Sequence, residues 1–140
     1  DDITMDDLNN HEETSADDFE YRDKADNEAV IIEYTGDDPI VVIPDEIDEK
    51  KVVDFGKIFT NDKDIVAVKV GDNVEEIADG AFTNCDNLKY VILGKNVKKF
   101  NDNNVGGKKL DFACKKAMIV KAGSYAESYA KENNMDYRVE

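Results

Sequence analysis

The side chains of this sequence that could act as nucleophile or base are few. They are His11, Cys85, Cys114, Ser15, Ser124 and Ser128. A Cys–His or Ser–His pair works only when nucleophile and base lie within hydrogen-bond reach. His11 sits in an acidic N-terminal run, far in sequence from both cysteines, and nothing in the pattern fixes it to a rigid element. Ser124 is better used as a helix cap. Carboxylate neighbours such as Glu75 and Glu76 suit solvated turn positions better than an acid/base pair. The chain is therefore read as non-enzymatic.

Metal chemistry fares no better. The nearest approach to a calcium-binding EF-hand loop starts at Asn101, with Asn103 next and Gly106 in the glycine place. It fails at Val105, where Asp or Asn is needed, and at Phe112, where the closing Glu is needed. Two cysteines with no nearby histidine do not make a zinc site. Calcium on the Asp-rich N-terminus would be adventitious and weak. No cofactor and no metal are expected.

Charge excludes further classes. In 140 residues, 33 acidic side chains face 18 basic ones, a net charge of −15. That balance repels nucleic acid and anionic membrane surfaces. No apolar run approaches the ~18 residues that span a bilayer. The charge is also unevenly placed: residues 1–28 carry −10, and residues 89–121 carry +7. The acidic run reads as a solvated tail. A second reading lets it fold back on the lysine-rich end or on a neighbouring molecule, because Ile3, Met5 and Leu8 give it a weak apolar spacing. Lys95, Lys98, Lys99, Lys108, Lys109, Lys115, Lys116 and Lys121 form either a solvated rim or an attractor for acidic glycans or another molecule's tail. The latter gives weak, salt-sensitive self-association. The chain begins at Asp1 with no charged-then-apolar leader, so the expectation is either that a targeting segment has been removed or that the sequence is a piece of a longer protein.

The elements that must position all of this come from an internal repeat. At a shift of 23 residues, Ile65 pairs with Leu88, Val68 with Val91, Val70 with Leu93 and Gly71 with Gly94. Asn73 then pairs with Asn96, Val74 with Val97, Ile77 with Phe100 and Phe82 with Val105. An upstream copy places Val41 and Ile43 with Val68 and Val70. In the same copy Val52, Phe55, Phe59 and Ile65 match Val74, Ile77, Phe82 and Leu88. It carries five extra residues after Pro44. A degraded fourth copy ends near Met118, Ile119 and Val120. Each copy offers a four-residue β-branched run, then turn residues, then further inward apolar positions. One coil cannot bury its own apolar side, whereas stacked coils can, with strands about 4.8 Å apart. Cys85, in the A-F-x-x-C position, reads as a small buried hydrophobe. Cys114 resembles its degenerate equivalent on another coil, which argues against a disulfide between them.

A stack of coils needs covered ends. Phe19–Arg22 and Ala29–Tyr34 alternate like strands around Asp26-Asn27, which predicts a hairpin cap over 19–34. At the other end, Ser124-x-x-Glu127 is a capping-box pattern. It predicts a helix of roughly nine or ten residues with Tyr125, Tyr129 and Ala130 facing inward, stopped by Asn133-Asn134. A short strand over 136–139 closes the chain.

If Val41/Ile43, Val68/Val70 and Val91/Leu93 point inward, then Ile40, Val42, Ala67, Lys69, Tyr90 and Ile92 point outward. Four of these six are large and apolar. An exposed strip of that kind suggests a protein-binding surface. The alternative is that part of the chain, such as the tail with Ile3, Met5 and Leu8, covers it.

The stretch "NVEEIADGAFTNCDNLKYVIL" and the opening unit "VVIPDEIDEKKVVDFGKIF" resemble the repeats of BspA-like leucine-rich repeat proteins. "EYTGDD" and "AGSYAESYAKENN" are similar to the flanks of such domains. The likeness covers about residues 19–140. It departs from the family at Gly71 and Gly94, which replace a proline, and in the third copy, which lacks A-F and the cysteine. The resemblance implies an α/β fold: a short leucine-rich-repeat solenoid with a parallel strand ladder, an N-terminal β-hairpin cap and a C-terminal helix cap. The expected organisation is an acidic tail over 1–18 and one domain over 19–140, with repeats at 40–120 and a helix–strand cap at 123–140. The resemblance also implies an extracellular or envelope location and a module that binds host matrix or bacterial envelope proteins in the manner of an adhesin. A structural spacer or end-piece of the envelope with no specific ligand is the alternative.

Overall fold

Val41, Val68 and Val91 sit opposite one another on three neighbouring parallel strands, so the inward apolar ladder of the repeat is real. The computed structural model describes residues 2–78, 80–101 and 118–140. The chain opens with a one-turn helix α1 (Met5–Asn9) and a 3-10 turn at Ala16–Asp18. An antiparallel hairpin follows, β1 (Phe19–Ala25) and β2 (Glu28–Tyr34). Asn27 turns it at φ 60°, a left-handed conformation that Asn tolerates.

The coils then supply β3 (Ile40–Val42), β4 (Glu46–Ile47), β5 (Lys50–Asp54), β6 (Ala67–Lys69), β7 (Glu76–Ala78), β8 (Tyr90–Ile92), β9 (Lys99–Asn101) and β10 (Met118–Val120). Helix α2 (Tyr125–Glu132) and β11 (Tyr137–Val139) end the chain. The main sheet is five-stranded and parallel, in the order β11-β10-β8-β6-β3. A second ladder pairs β7 with β9 in parallel and sets Ile77 opposite Phe100, again as the repeat requires. The insertion after Pro44 forms the β4–β5 hairpin. Through β5 it joins β2, which ties the N-terminal hairpin to the first coil. The architecture is a β-solenoid of about four turns with a parallel strand ladder and few helices.

Every inward position named by the repeat among the described residues is buried: Val41, Ile43, Val52, Phe55, Phe59, Ile65, Val68, Val70, Val74, Ile77, Phe82, Leu88, Val91, Leu93, Val97 and Phe100. They form one continuous core. Phe59 and Phe82, equivalent in successive coils, stack with ring centroids 5.8 Å apart and planes 8° apart. Full burial of a side chain of this size stabilises by about 1.5–3 kcal/mol. The glycines that replace proline have a steric reason. A Cβ on Gly94 would lie 2.9 Å from the Gly71 carbonyl oxygen, and one on Gly71 would lie 3.0 Å from that of Ile43.

Polar residues are laddered too. Asn84 Nδ2 donates to Asn61 Oδ1 at 2.8 Å, and Asn96 Nδ2 donates to the Asp72 carbonyl at 2.7 Å. At the C-terminal end, Ser124 Oγ accepts from Glu127 N–H at 3.1 Å. The Glu127 carboxylate reaches Gly123 N–H rather than that of Ser124. Helix α2 has eight residues, slightly fewer than expected, and Asn133 caps it. Tyr129 and Ala130 are buried as expected, but Tyr125 is 45% exposed and Ala126 takes the inward place. One turn after the cap, position 126 rather than 125 falls on the arc with 129 and 130. Tyr125 instead lies against Phe100, with centroids 6.0 Å apart.

Candidate functional site

The outer face of the main sheet carries Ile40, Val42, Ala67, Lys69, Tyr90 and Ile92, as the strand alternation dictates. The register sets Ile40–Ala67–Tyr90 and Val42–Lys69–Ile92 in two rows across β3, β6 and β8. Ile119 on β10 extends the second row. Arg138 on β11 lies beside Ile119, and its guanidinium sits 5.9 Å from the Tyr90 ring centroid. Ile119, which the sequence marks only as part of the fourth copy, and Arg138, which it does not mark, also belong to this face. The inward Met118 and Val120 would have pointed to Ile119.

This face is not open to solvent, which corrects the expectation of an exposed strip. Ile40, Val42, Ala67 and Ile92 are buried, Tyr90 is half-buried, and only Lys69 is exposed. The cover is the acidic N-terminal segment. Leu8 is fully buried in a cluster with Ile40, Val42, Ala67, Ile92 and Ile119, and Ile3 and Met5 pack beside it. The segment read as a solvated tail is therefore docked. Its acidic side chains stay in water while a few apolar ones face the sheet.

Contact recurs at every third residue. Met5, Leu8, His11 and Thr14 are wholly or partly buried, and the residues between them are exposed. Helix α1 begins with a reciprocal cap: Thr4 N–H donates to the Asp7 carboxylate at 2.8 Å, and Asp7 N–H donates to Thr4 Oγ1 at 3.2 Å. That cap sets Leu8 on the sheet. Asp2 lies 3.5 Å from Lys89, the first residue of the lysine-rich stretch.

His11 is fixed after all. Its Nδ1 lies 2.6 Å from the Glu12 carbonyl oxygen and its Nε2 2.9 Å from Asp38 Oδ2. Both partners only accept, so both ring nitrogens must donate, and the ring fits as the imidazolium. Partial burial pulls the His11 pKa down. The bonds to Glu12 and Asp38 outweigh it and leave the pKa raised above its ordinary value. Asp38 is a hub: its other carboxylate oxygen accepts from Ile40 N–H at 2.8 Å, and its carbonyl accepts from the Tyr34 hydroxyl at 3.0 Å.

Thr14 closes the edge of the sheet. β3 is the outermost strand, and an outer strand leaves backbone groups unpaired. Thr14 Oγ1 accepts from Val42 N–H at 2.8 Å, and Thr14 N–H donates to the Val42 carbonyl at 2.9 Å.

The residues considered for chemistry are placed apart. Cys85 is free and fully buried, and its thiol donates to the Phe59 carbonyl at 2.9 Å. Burial pushes that thiol up to about 11, away from the reactive thiolate. Glu75 is held by Lys98 at 2.7 Å. Lys121 pairs with Glu140 at 3.6 Å. Cys114, Lys108, Lys109, Lys115, Lys116 and the calcium-loop positions Asn103, Val105, Gly106 and Phe112 lie outside the described residues, as does the Asn101 side chain. Among the described residues no group of three or more His, Cys, Asp or Glu side chains is set to hold a metal ion. No helix among them is long and apolar enough to cross a membrane.

The fold is that of a leucine-rich-repeat solenoid. Two solved structures share it. A leucine-rich cell surface protein of Faecalibacterium prausnitzii A2-165 superposes with a TM-score of 0.59 at 24% identity, over 81% of this chain and 34% of that one. A leucine-rich repeat protein of T. pallidum superposes with a TM-score of 0.51 at 20% identity, over 79% of this chain and 71% of that one. At these identities the likeness establishes the fold, and the chain spans about a third of the Faecalibacterium protein. No protein-family model matches the chain, and no curated protein matches it.

Proposed function

We propose that this chain is a non-enzymatic protein-binding module of a secreted or surface-attached bacterial protein, of the BspA-like kind, and that it binds through the outer strand face. The supporting observation is the apolar patch of Ile40, Val42, Ala67, Ile92 and Ile119, spread over β3, β6, β8 and β10 on the side of the sheet away from the core. The inner rows close the core of the solenoid by themselves, and the outer apolar patch forms a separate cluster under Ile3, Met5 and Leu8, an arrangement suited to contact with a protein segment. The cell-surface description of the Faecalibacterium protein fits the proposed location. Host matrix or bacterial envelope proteins are the proposed partners, in an adhesin-like role.

Pull-down with the full chain against host matrix proteins and against the producer's envelope fraction tests this. A partner lost on Tyr90→Ser with Ile92→Lys, with the fold intact by circular dichroism, supports it. Binding unchanged by that double substitution removes the strand face from the reading. The second reading, an envelope spacer with no specific ligand, is favoured by the covering of the face by the chain itself. Clean negatives in both pull-downs would select it.

A further inference from the structure

We propose that the outer face is a peptide-binding site whose resident ligand is the chain's own segment 2–14, and that a protein partner binds by supplying a segment of the same chemistry. That segment is acidic, places one large aliphatic residue where Leu8 sits, and carries a Thr or Ser six residues later to pair with Val42. The inference rests on the reading of this face as protein-binding and names what it recognises.

Three observations carry it. First, the segment grips as a ligand does. Its apolar contacts form a cluster separate from the main core, on the opposite side of the sheet from Val41, Val68, Val91 and Met118. Lifting it leaves the interior of the solenoid closed. Second, the recognition has two parts that recur in peptide binding: an aliphatic knob in an apolar hollow, and an extended residue added to a strand edge. Leu8 supplies the knob. Thr14 supplies the edge pairing, its hydroxyl accepting from the Val42 N–H and its own N–H donating to the Val42 carbonyl. Third, charges pair across the contact in both senses: Asp2 lies 3.5 Å from Lys89 and the His11 ring 2.9 Å from Asp38, and Lys69 and Arg138 fringe the face. A competitor without an acid for Lys89 and a base for Asp38 forfeits that match.

The covalent link sets the selectivity. A tethered segment acts at an effective concentration on the order of millimolar. An incoming segment must outcompete it, so the face is closed to weak accidental ligands and open to a tight one.

The test uses the full chain and a fluorescein-labelled synthetic peptide of residues 2–14, read by anisotropy. The Leu8→Asp chain, whose own segment is released, should bind the peptide at least tenfold more tightly than the unmodified chain. A peptide carrying the same substitution should not bind, and Ile92→Lys added to the Leu8→Asp chain should abolish binding. Rising salt should weaken it. Equal affinity for the unmodified and Leu8→Asp chains, or indifference to Ile92→Lys, overturns the proposal.

Hydrogen exchange on the unmodified chain gives a second reading that needs no variant to fold. The Asn10, Thr14 and Val42 amides should exchange together, at least tenfold faster than those of Val68 and Val91. Release only in step with Val68 and Val91 would make the segment part of the cooperative core and overturn the proposal. Capture of a matrix or envelope protein that free peptide does not displace would sink this inference while leaving the module reading intact. Peptide binding without any captured partner would sink the module reading and with it the partner half of this inference, leaving segment 2–14 as a cover for the face.

Discussion

Thr14 and Val42, 28 residues apart, exchange two hydrogen bonds: the Thr14 hydroxyl accepts from the Val42 amide at 2.8 Å, and the Thr14 amide donates to the Val42 carbonyl at 2.9 Å. One residue thus satisfies both backbone groups that Val42 turns toward the open edge of β3, while the Ile40 N–H goes to Asp38. Thr14 is also the one polar residue among the buried described residues. Thr14→Val keeps the shape and removes the acceptor, leaving a buried N–H unpaired at about 1–3 kcal/mol. At 1.4 kcal/mol per tenfold, the Val42 amide should exchange roughly 5- to 150-fold faster. Thr14→Ser should retain most of the protection. Equal exchange in all three chains would show that the hydroxyl contributes nothing.

The inner face was legible in the sequence and the outer cover was only half legible, for different physical reasons. Val41, Val68 and Val91 repeat in a pattern with two constraints, strand alternation and coil period, so their register follows from the residues alone. The outward rows follow from the same alternation. Leu8 could be marked as apolar, but a single helical turn is too short for a periodic signal, and the surrounding acids read as a solvated run. His11 and Asp38 lie 27 residues apart on segments outside the repeat, so nothing in the sequence pairs them. A spacing of three through Met5, Leu8, His11 and Thr14 was present and would have marked the buried side of the segment.

The His11 contact makes the docking of this segment pH-dependent, with a definite sign. Its folded pKa lies above the ordinary 6.5. The contact therefore contributes its full stabilisation below the unfolded value and loses it as pH rises through the folded value. When the ring loses its proton, one nitrogen presents a lone pair to an acceptor. Protection of the Thr14 amide, corrected for intrinsic exchange, should be greatest below about pH 6 and decline above it. Asp38→Asn should flatten that dependence and lower the His11 titration midpoint read by NMR. A midpoint at or below the ordinary value in the unmodified chain contradicts the contact.

Cys85 should report global opening. Its thiol is fully buried, bonded to the Phe59 carbonyl, and pushed up to about 11 by burial. A thiol of that kind is almost wholly protonated near neutrality and out of reach of reagents. In a chain carrying Cys114→Ser, a disulfide reagent should leave Cys85 unlabelled under native conditions. Labelling should rise with urea along the same curve as the circular dichroism signal. Rapid native labelling would mean that the coil holding Phe59 and Cys85 opens on its own.

The paired asparagines Asn61 and Asn84 separate backbone strain from side-chain bonding. Both occupy left-handed backbone, at φ 66° and 61°, and Asn84 Nδ2 donates to Asn61 Oδ1 at 2.8 Å. A left-handed conformation costs an ordinary residue about 1–2 kcal/mol and costs glycine almost nothing. The lost hydrogen bond is worth about 0.5–1.5 kcal/mol. Asn84→Gly should lose the bond and a little more, because glycine adds freedom to the unfolded chain. Asn84→Ala should lose the bond and carry the strain as well. Urea unfolding with an unchanged m-value should therefore rank the unmodified chain first, Asn84→Gly second and Asn84→Ala last. The last two should differ by up to about 1.5 kcal/mol, the strain carried by alanine less the unfolded-state freedom added by glycine. If alanine equals or exceeds glycine, the turn between successive coils does not require a left-handed residue there, and the ladder is held by its side-chain amides alone.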